Sequence, residues 1–130
     1  MSSLLHAEPQ LFTSDLDASL DYYARVLGFS VEFVYGEPAF YAQVRSGGAR
    51  LNLRLVAQPV VDAARRDAEE LLSASVVVRE IDDLFSAYLQ KGARIHRPPT
   101  THAWGARTFV VADPDGNLLL FAAQKAIEHV

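Results

Sequence analysis

The feature that most constrains this chain is an internal repeat. Leu16 and Ile81, Asp17 and Asp82, Leu20 and Phe85, and Tyr23 and Tyr88 are each 65 residues apart. Gly28 and Gly92 follow after a one-residue slip, and Gly48 and Gly116 each open a last strand. Each half reads strand, helix, then three strands. Two such units within 130 residues leave room for no other large element. The length itself fits one core.

The elements follow from local chemistry. Gln10 to Thr13 reads as a short strand. Ser14 or Asp15 then caps a helix, because a short side-chain oxygen accepts from the free first-turn N–H groups. Leu16, Leu20, Tyr23 and Leu27 form one helical stripe, ended by Gly28. Strands follow at Phe29 to Tyr35, at Phe40 to Arg45 and through Leu51, Leu53 and Leu55, with Gly36-Glu37-Pro38 and Ser46-Gly47-Gly48 as turns. Residues 57–71 read as a linker with a short surface helix between modules at 1–56 and 72–130. The second half predicts a strand at Ser75 to Val78 and a helix carrying Ile81, Leu84, Phe85 and Tyr88. A short strand at Arg94 to His96 and a Pro98-Pro99 loop follow. Strands at Thr108 to Val111 and Leu118 to Ala122 flank an Asp113-Pro114-Asp115-Gly116 turn.

Composition removes several function classes. There is no Cys, which excludes disulfides, thiol nucleophiles and Cys-ligated metals. The net charge of −4 gives no basic footprint for nucleic acid. No basic leader and no long apolar run is present, so the expectation is a soluble cytoplasmic protein that does not engage membranes. No Gly-x-Ser-x-Gly elbow and no phosphate loop occurs.

Neither half can bury both faces of its sheet with a single helix. The uncovered faces are expected to curl toward each other around an apolar cleft, the usual kind of small-molecule site. Alternation assigns residues to that cleft. If Leu51, Leu53 and Leu55 pack under the first helix, Asn52 and Arg54 face the other way, with Glu8, Gln10 and Phe12 on the same side. Arg54 would suit a carboxylate or phosphate, or would pair with an internal acid such as Glu8. Trp104, the one Trp, either packs under its loop or walls a planar ligand. Phe109 fits a core or a cleft-floor position.

The run Ser14-Asp15-Leu16-Asp17-Ala18-Ser19-Leu20-Asp21-Tyr22-Tyr23 through Leu27-Gly28-Phe29 resembles the vicinal oxygen chelate superfamily. So does Trp104-Gly105-Ala106-Arg107-Thr108-Phe109 through Asp113-Pro114-Asp115-Gly116-Asn117. That group includes glyoxalase I, extradiol dioxygenases and bleomycin-resistance proteins. The resemblance covers residues 8–124 and implies an α+β fold, two βαβββ modules forming one curved eight-stranded mixed sheet around a cleft. Metalloenzymes of the group take ligands from equivalent strand positions, which here read Glu8, Asn52, Ser73 and Leu120. Only Glu8 is a strong donor, and Leu120 has none. His6 and His102 are the other donors in reach of a rescued site.

The resemblance therefore implies the bleomycin-resistance branch: a protein that sequesters a partly aromatic or apolar small molecule, with no metal and no cofactor. The expected ligand-binding residues are Glu8, Phe12, Asn52, Arg54, Trp104, Phe109 and Leu120. The competing reading is a glyoxalase-, dioxygenase- or isomerase-like metalloenzyme with non-standard ligands. A third is a module whose cleft takes a protein partner. Relatives of this size imply a homodimer, the commonest closed assembly.

Overall fold

A computed structural model describes residues 3–60 and 62–124. The outermost ends of the two expected modules lie outside the described residues. The order is β1 (Gln10–Thr13), α1 (Leu16–Asp21, continuing as a π-helix over Tyr22–Val26), β2 (Ser30–Tyr35), β3 (Tyr41–Ser46) and β4 (Ala49–Leu55). Then come α2 (Ala63–Glu69), β5 (Leu72–Val77), α3 (Ile81–Gln90), β6 (Arg94–Thr101), β7 (Ala106–Ala112) and β8 (Leu118–Gln124). This is the α+β repeat the sequence implies, with α2 inside the expected linker.

The strands form two separate four-stranded mixed sheets, β1-β4-β3-β2 and β5-β8-β7-β6. The single eight-stranded sheet is thus corrected to two, because among the described residues no strand of one half hydrogen-bonds to a strand of the other. In each sheet the first and last strands of the module pair in parallel, and the remaining neighbours are antiparallel.

Register decides which faces are buried. Leu11, Ala42, Val44, Leu51 and Leu53 share the helix side of the first sheet, and Phe109, Val111, Leu119 and Phe121 share that of the second. Together with Tyr22, Tyr23, Leu27, Phe29 and Tyr88, they form one core cluster. The helix-side faces therefore meet across a common core, and the other faces of the two sheets turn outward. This overturns the expectation that the uncovered faces of one chain curl toward each other.

Two local departures have physical causes. Asp15 caps α1 by accepting from Ala18 N–H at 3.0 Å, but the helix then widens to a π turn, with Leu27 N–H donating to Tyr22 O. The wider turn lets the consecutive Tyr22 and Tyr23 both enter the core. β6 runs straight through Pro98-Pro99, where a loop is expected. It is an edge strand, so the missing N–H groups cost no ladder bond, and register shifts absorb the irregularity.

The halves are joined at the Asp113–Asn117 turn. Asp113 is fully buried. Its carboxylate accepts from Tyr23 Oη at 2.8 Å, from Asn117 N and Nδ2 at 2.9 Å each, and from Asp115 N at 2.9 Å. Burial pushes its carboxyl above the usual range despite these donors. Asp115 crosses to the first module, accepting from Ser14 N and Oγ at 2.9 Å and from Ser19 Oγ at 3.2 Å. Asn117 Nδ2 also donates to Phe12 O at 2.9 Å.

Asp113→Ala strands the buried Tyr23 hydroxyl and should lower unfolding free energy by about 3 kcal/mol, measured by urea denaturation. Burial raises the carboxyl of Asp115, but donors from Thr13, Ser14 and Ser19 outweigh it and hold the group below its ordinary 3.8. A folded-state value below the unfolded one gives stability that is present above pH 3.8 and lost as pH falls through the folded value. Asp115→Asn should therefore flatten the acid limb of the stability–pH curve below pH 3.8, read from urea midpoints across that range.

Candidate functional site

The outward face of the first sheet collects most of the expected residues. Register places Gln10 beside Asn52 and Phe12 beside Arg54 on β1 and β4. It places Tyr41 beside Arg54 and Gln43 beside Asn52 on β3. Phe33 and Tyr35 extend the same face on β2.

Glu8 lies at one end of this face and is tightly bound. His6 Nε2 sits 2.6 Å from Glu8 Oε2, while Gln43 Nε2 and Asn52 Nδ2 donate to Oε1 at 2.9 and 3.3 Å. The His6 contact first, and then that of Asn52, lower the Glu8 carboxyl below its ordinary value. Gln43 Nε2 also donates to Asn52 Oδ1 at 2.9 Å.

At the other end, Phe33 and Tyr41 stack with centroids 6.2 Å apart, and Tyr41 Oη donates to Gln10 at 3.0 Å. Arg54 is exposed between Phe12 and Tyr41. Its guanidinium makes no hydrogen bond or ion pair with any described residue. Glu8 is thus engaged elsewhere, and the Arg54 guanidinium is open on a face that also carries Phe12, Phe33 and Tyr41.

The second sheet's outward face is built differently. Register aligns Ser75, Leu120, Val110 and Arg97 across it. Arg97 donates to both Glu70 oxygens at 3.1–3.3 Å and to Thr108 Oγ1 at 3.0 Å. His102 Nε2 lies 2.8 Å from the same hydroxyl, and Trp104 stacks on His102 at 4.9 Å and 15°. Trp104 itself is 69% exposed, so it is not packed under its loop.

Glu70 reaches Arg97 because it ends α2 in the left-handed region, at φ 51°. That conformation costs a non-glycine residue about 1–2 kcal/mol. The Glu70–Arg97 pair joins the end of α2 to the far edge strand of the second sheet.

Three expected site residues therefore lie apart from the rest, all in the second module: Trp104, Phe109 and Leu120. Phe109 is fully buried on the helix side, with ring centroids 5.3 Å from Phe85 and 5.1 Å from Phe121, and so lies on the opposite face from Leu120. Leu120 belongs to the outward face of the second sheet, away from Glu8 and Asn52. The residues that sequence reasoning missed are Phe33, Tyr41, Gln43, Glu70, Arg97 and Thr108, and His102, considered there as a metal donor, instead supports Trp104. Pairing the loose alternation of β3 with that of β4 would have found Tyr41 and Gln43. No local signal marks Glu70 and Arg97.

A metal at the four equivalent positions does not fit. Gln43 and Glu8 engage the Asn52 amide, Ser73 Oγ donates to Asn117 at 3.1 Å, and Leu120 offers no donor. Among the described residues no three His, Asp or Glu side chains converge. No helix among them is long and apolar enough to cross a membrane. A cavity of about 890 Å³ lies elsewhere, between the β3–β4 turn and the β5–α3 junction.

Two repeated modules on a shared core define a paired βαβββ protein. The chain belongs to the glyoxalase/bleomycin resistance protein/dioxygenase superfamily, whose family model matches residues 3–121. Among solved structures it is similar to TioX from Micromonospora sp. ML1, at 26% identity and TM-score 0.74, covering 92% of this chain and 98% of that one. It is also similar to the bleomycin-binding protein of bleomycin-producing Streptomyces verticillus, solved with copper(II)-bleomycin, at 25% identity and TM-score 0.75, covering 96% and 100%. The bleomycin resistance determinant encoded on transposon Tn5 shares the fold at 21% identity and TM-score 0.73, covering 95% and 100%. No curated protein sequence matches the chain.

Protein incubated with excess Ni, Zn, Mn or Fe(II) salts and then desalted should retain well under one ion per chain. Stoichiometric retention that disappears in Glu8→Ala would contradict this donor assignment.

Proposed function

We propose that this protein binds and sequesters a partly aromatic small molecule carrying an anionic group, without a metal. The observation that carries the reading is Arg54. A guanidinium with no protein partner, set between Phe12 and Tyr41, offers charge-assisted hydrogen bonds to a carboxylate or phosphate and flat apolar surface to a ring. The similarity to the bleomycin-binding protein at 25% identity supports small-molecule binding of this kind. The donor set at the four equivalent strand positions speaks for the binding branch.

The outward faces of one chain look away from each other, so neither encloses a ligand alone. A second copy of the chain completes the site, setting the Trp104–His102 stack of one protomer against the Phe12–Arg54 surface of its partner. Exposed Tyr35 at 65%, Val77 at 78% and Trp104 at 69% supply the apolar surface for such a contact. A soluble cytoplasmic dimer is the working form in this reading.

Light scattering at micromolar concentration should give about twice the chain mass. In an aromatic-carboxylate screen, ligands should change Trp fluorescence and bind in the micromolar range, about −8 kcal/mol. Trp104→Ala, being exposed within its own chain, should leave the circular dichroism of the fold unchanged and weaken binding by roughly 1–3 kcal/mol. Arg54→Ala should discriminate against the anionic ligands in the screen. A monomer whose ligands survive both substitutions would refute the composite site.

A further inference from the structure

The repeat makes two equivalent junctions between helix start and hairpin turn, and the structure treats them oppositely. At the first, Asp115 binds Ser14 and Ser19, Asn117 binds Phe12 O, and Tyr23 binds Asp113. The residual space there is about 50 Å³. At the second, the 65-residue offset replaces Ser14 with Arg79 and Ser19 with Leu84. The turn aligned on Gly48 and Gly116 replaces Asp113 with Arg45, Asp115 with Gly47 and Asn117 with Ala49.

No carboxylate remains to cross this junction. Tyr88, the counterpart of Tyr23, turns its hydroxyl to Leu27 O at 2.9 Å. The result is the cavity of about 890 Å³, within the range of small-molecule pockets. Its lining includes Phe29, Leu51, Leu84, Tyr88 and Phe121, all apolar or aromatic. At its mouth Arg50 and Arg79 are balanced by Glu80 and Asp83, so the opening selects no net charge.

We propose that this inter-module cavity is a second binding site, for a neutral and predominantly apolar small molecule. It is separate from the outward faces: none of Phe12, Asn52, Arg54, Trp104 or Leu120 lines it. The same chain thus offers a charged aromatic surface outside and a neutral apolar pocket between its halves.

The test uses N-phenyl-1-naphthylamine, a neutral apolar probe that fluoresces on leaving water. The full chain should bind it. Gly48 has no positive φ, and a Cβ there meets nothing within 4 Å, so Gly48→Phe can place a ring toward the cavity without backbone strain. Gly48→Phe and Leu84→Trp should each weaken the probe at least tenfold, with unchanged circular dichroism and thermal midpoint. Parent-like affinity in both variants, or no binding by the folded parent, overturns the proposal. A parallel loss in Trp104→Ala puts the probe on the outward face and also overturns it. Binding that appears only after deletion of residues 125–130 shows the chain's own end filling the space. Affinity that falls as protein concentration rises shows a second copy filling it. Either result refutes a ligand site.

Discussion

The buried carboxylate of Asp113 is the interaction on which the rest of the arrangement depends. A charge out of water is tolerable only when donors surround it, and four do. Three of those donors, Asp115 N and Asn117 N and Nδ2, belong to its own turn, which fixes the conformation of residues 113–117. The fourth, Tyr23, comes from the other module and reaches the carboxylate because the π turn rotates it inward. With the turn fixed, Asp115 and Asn117 arrive at the start of α1 in a geometry that bonds Ser14, Ser19 and Phe12. The halves are thus locked by polar contacts at one edge of a core that is otherwise apolar. Burial pushes the Tyr88 hydroxyl up to about 12, which keeps that second tyrosine a neutral donor inside the same core.

Orientation of the sheets follows from this lock. Once helix-side faces share one core, the other faces have nowhere to point but outward. The first is left open, with Arg54 unpaired. The second is partly closed by Glu70 and Arg97. A chain with two sheet faces of such different chemistry presents a different surface on each side, which suits a site assembled from unlike halves.

Much of this was legible in the sequence, and the reasons are physical. The repeat, the helix cap at Asp15, the turn at Asp113-Pro114-Asp115-Gly116 and the inside–outside alternation of β4 all depend on neighbours within a few residues. Glu8, Phe12, Asn52 and Arg54 fell on one face because alternation alone decides that. What the sequence did not disclose depends on contacts far along the chain. Whether two uncovered faces meet or diverge is decided by how helices pack, and Phe109 lies on the helix side for that reason. β6 continues through two prolines only because it turned out to be an edge. Glu70 meets Arg97 only because one residue takes a left-handed backbone, and nothing in the surrounding residues marks that choice.

The unequal junctions carry a consequence for how such a chain can change. A duplicated unit begins with two copies of every contact, and either copy can hold the halves together. Here the polar turn does so at one junction, through Asp113, Asp115 and Asn117, while the other has lost its acids and keeps the Tyr88 bond to Leu27 O. Substitutions at Gly47, Gly48, Arg79 or Leu84 therefore alter the shape between the halves while the opposite edge keeps them aligned. Redundancy from doubling has become a division of labour, in which one copy of the contact conserves the architecture and its twin is open to variation.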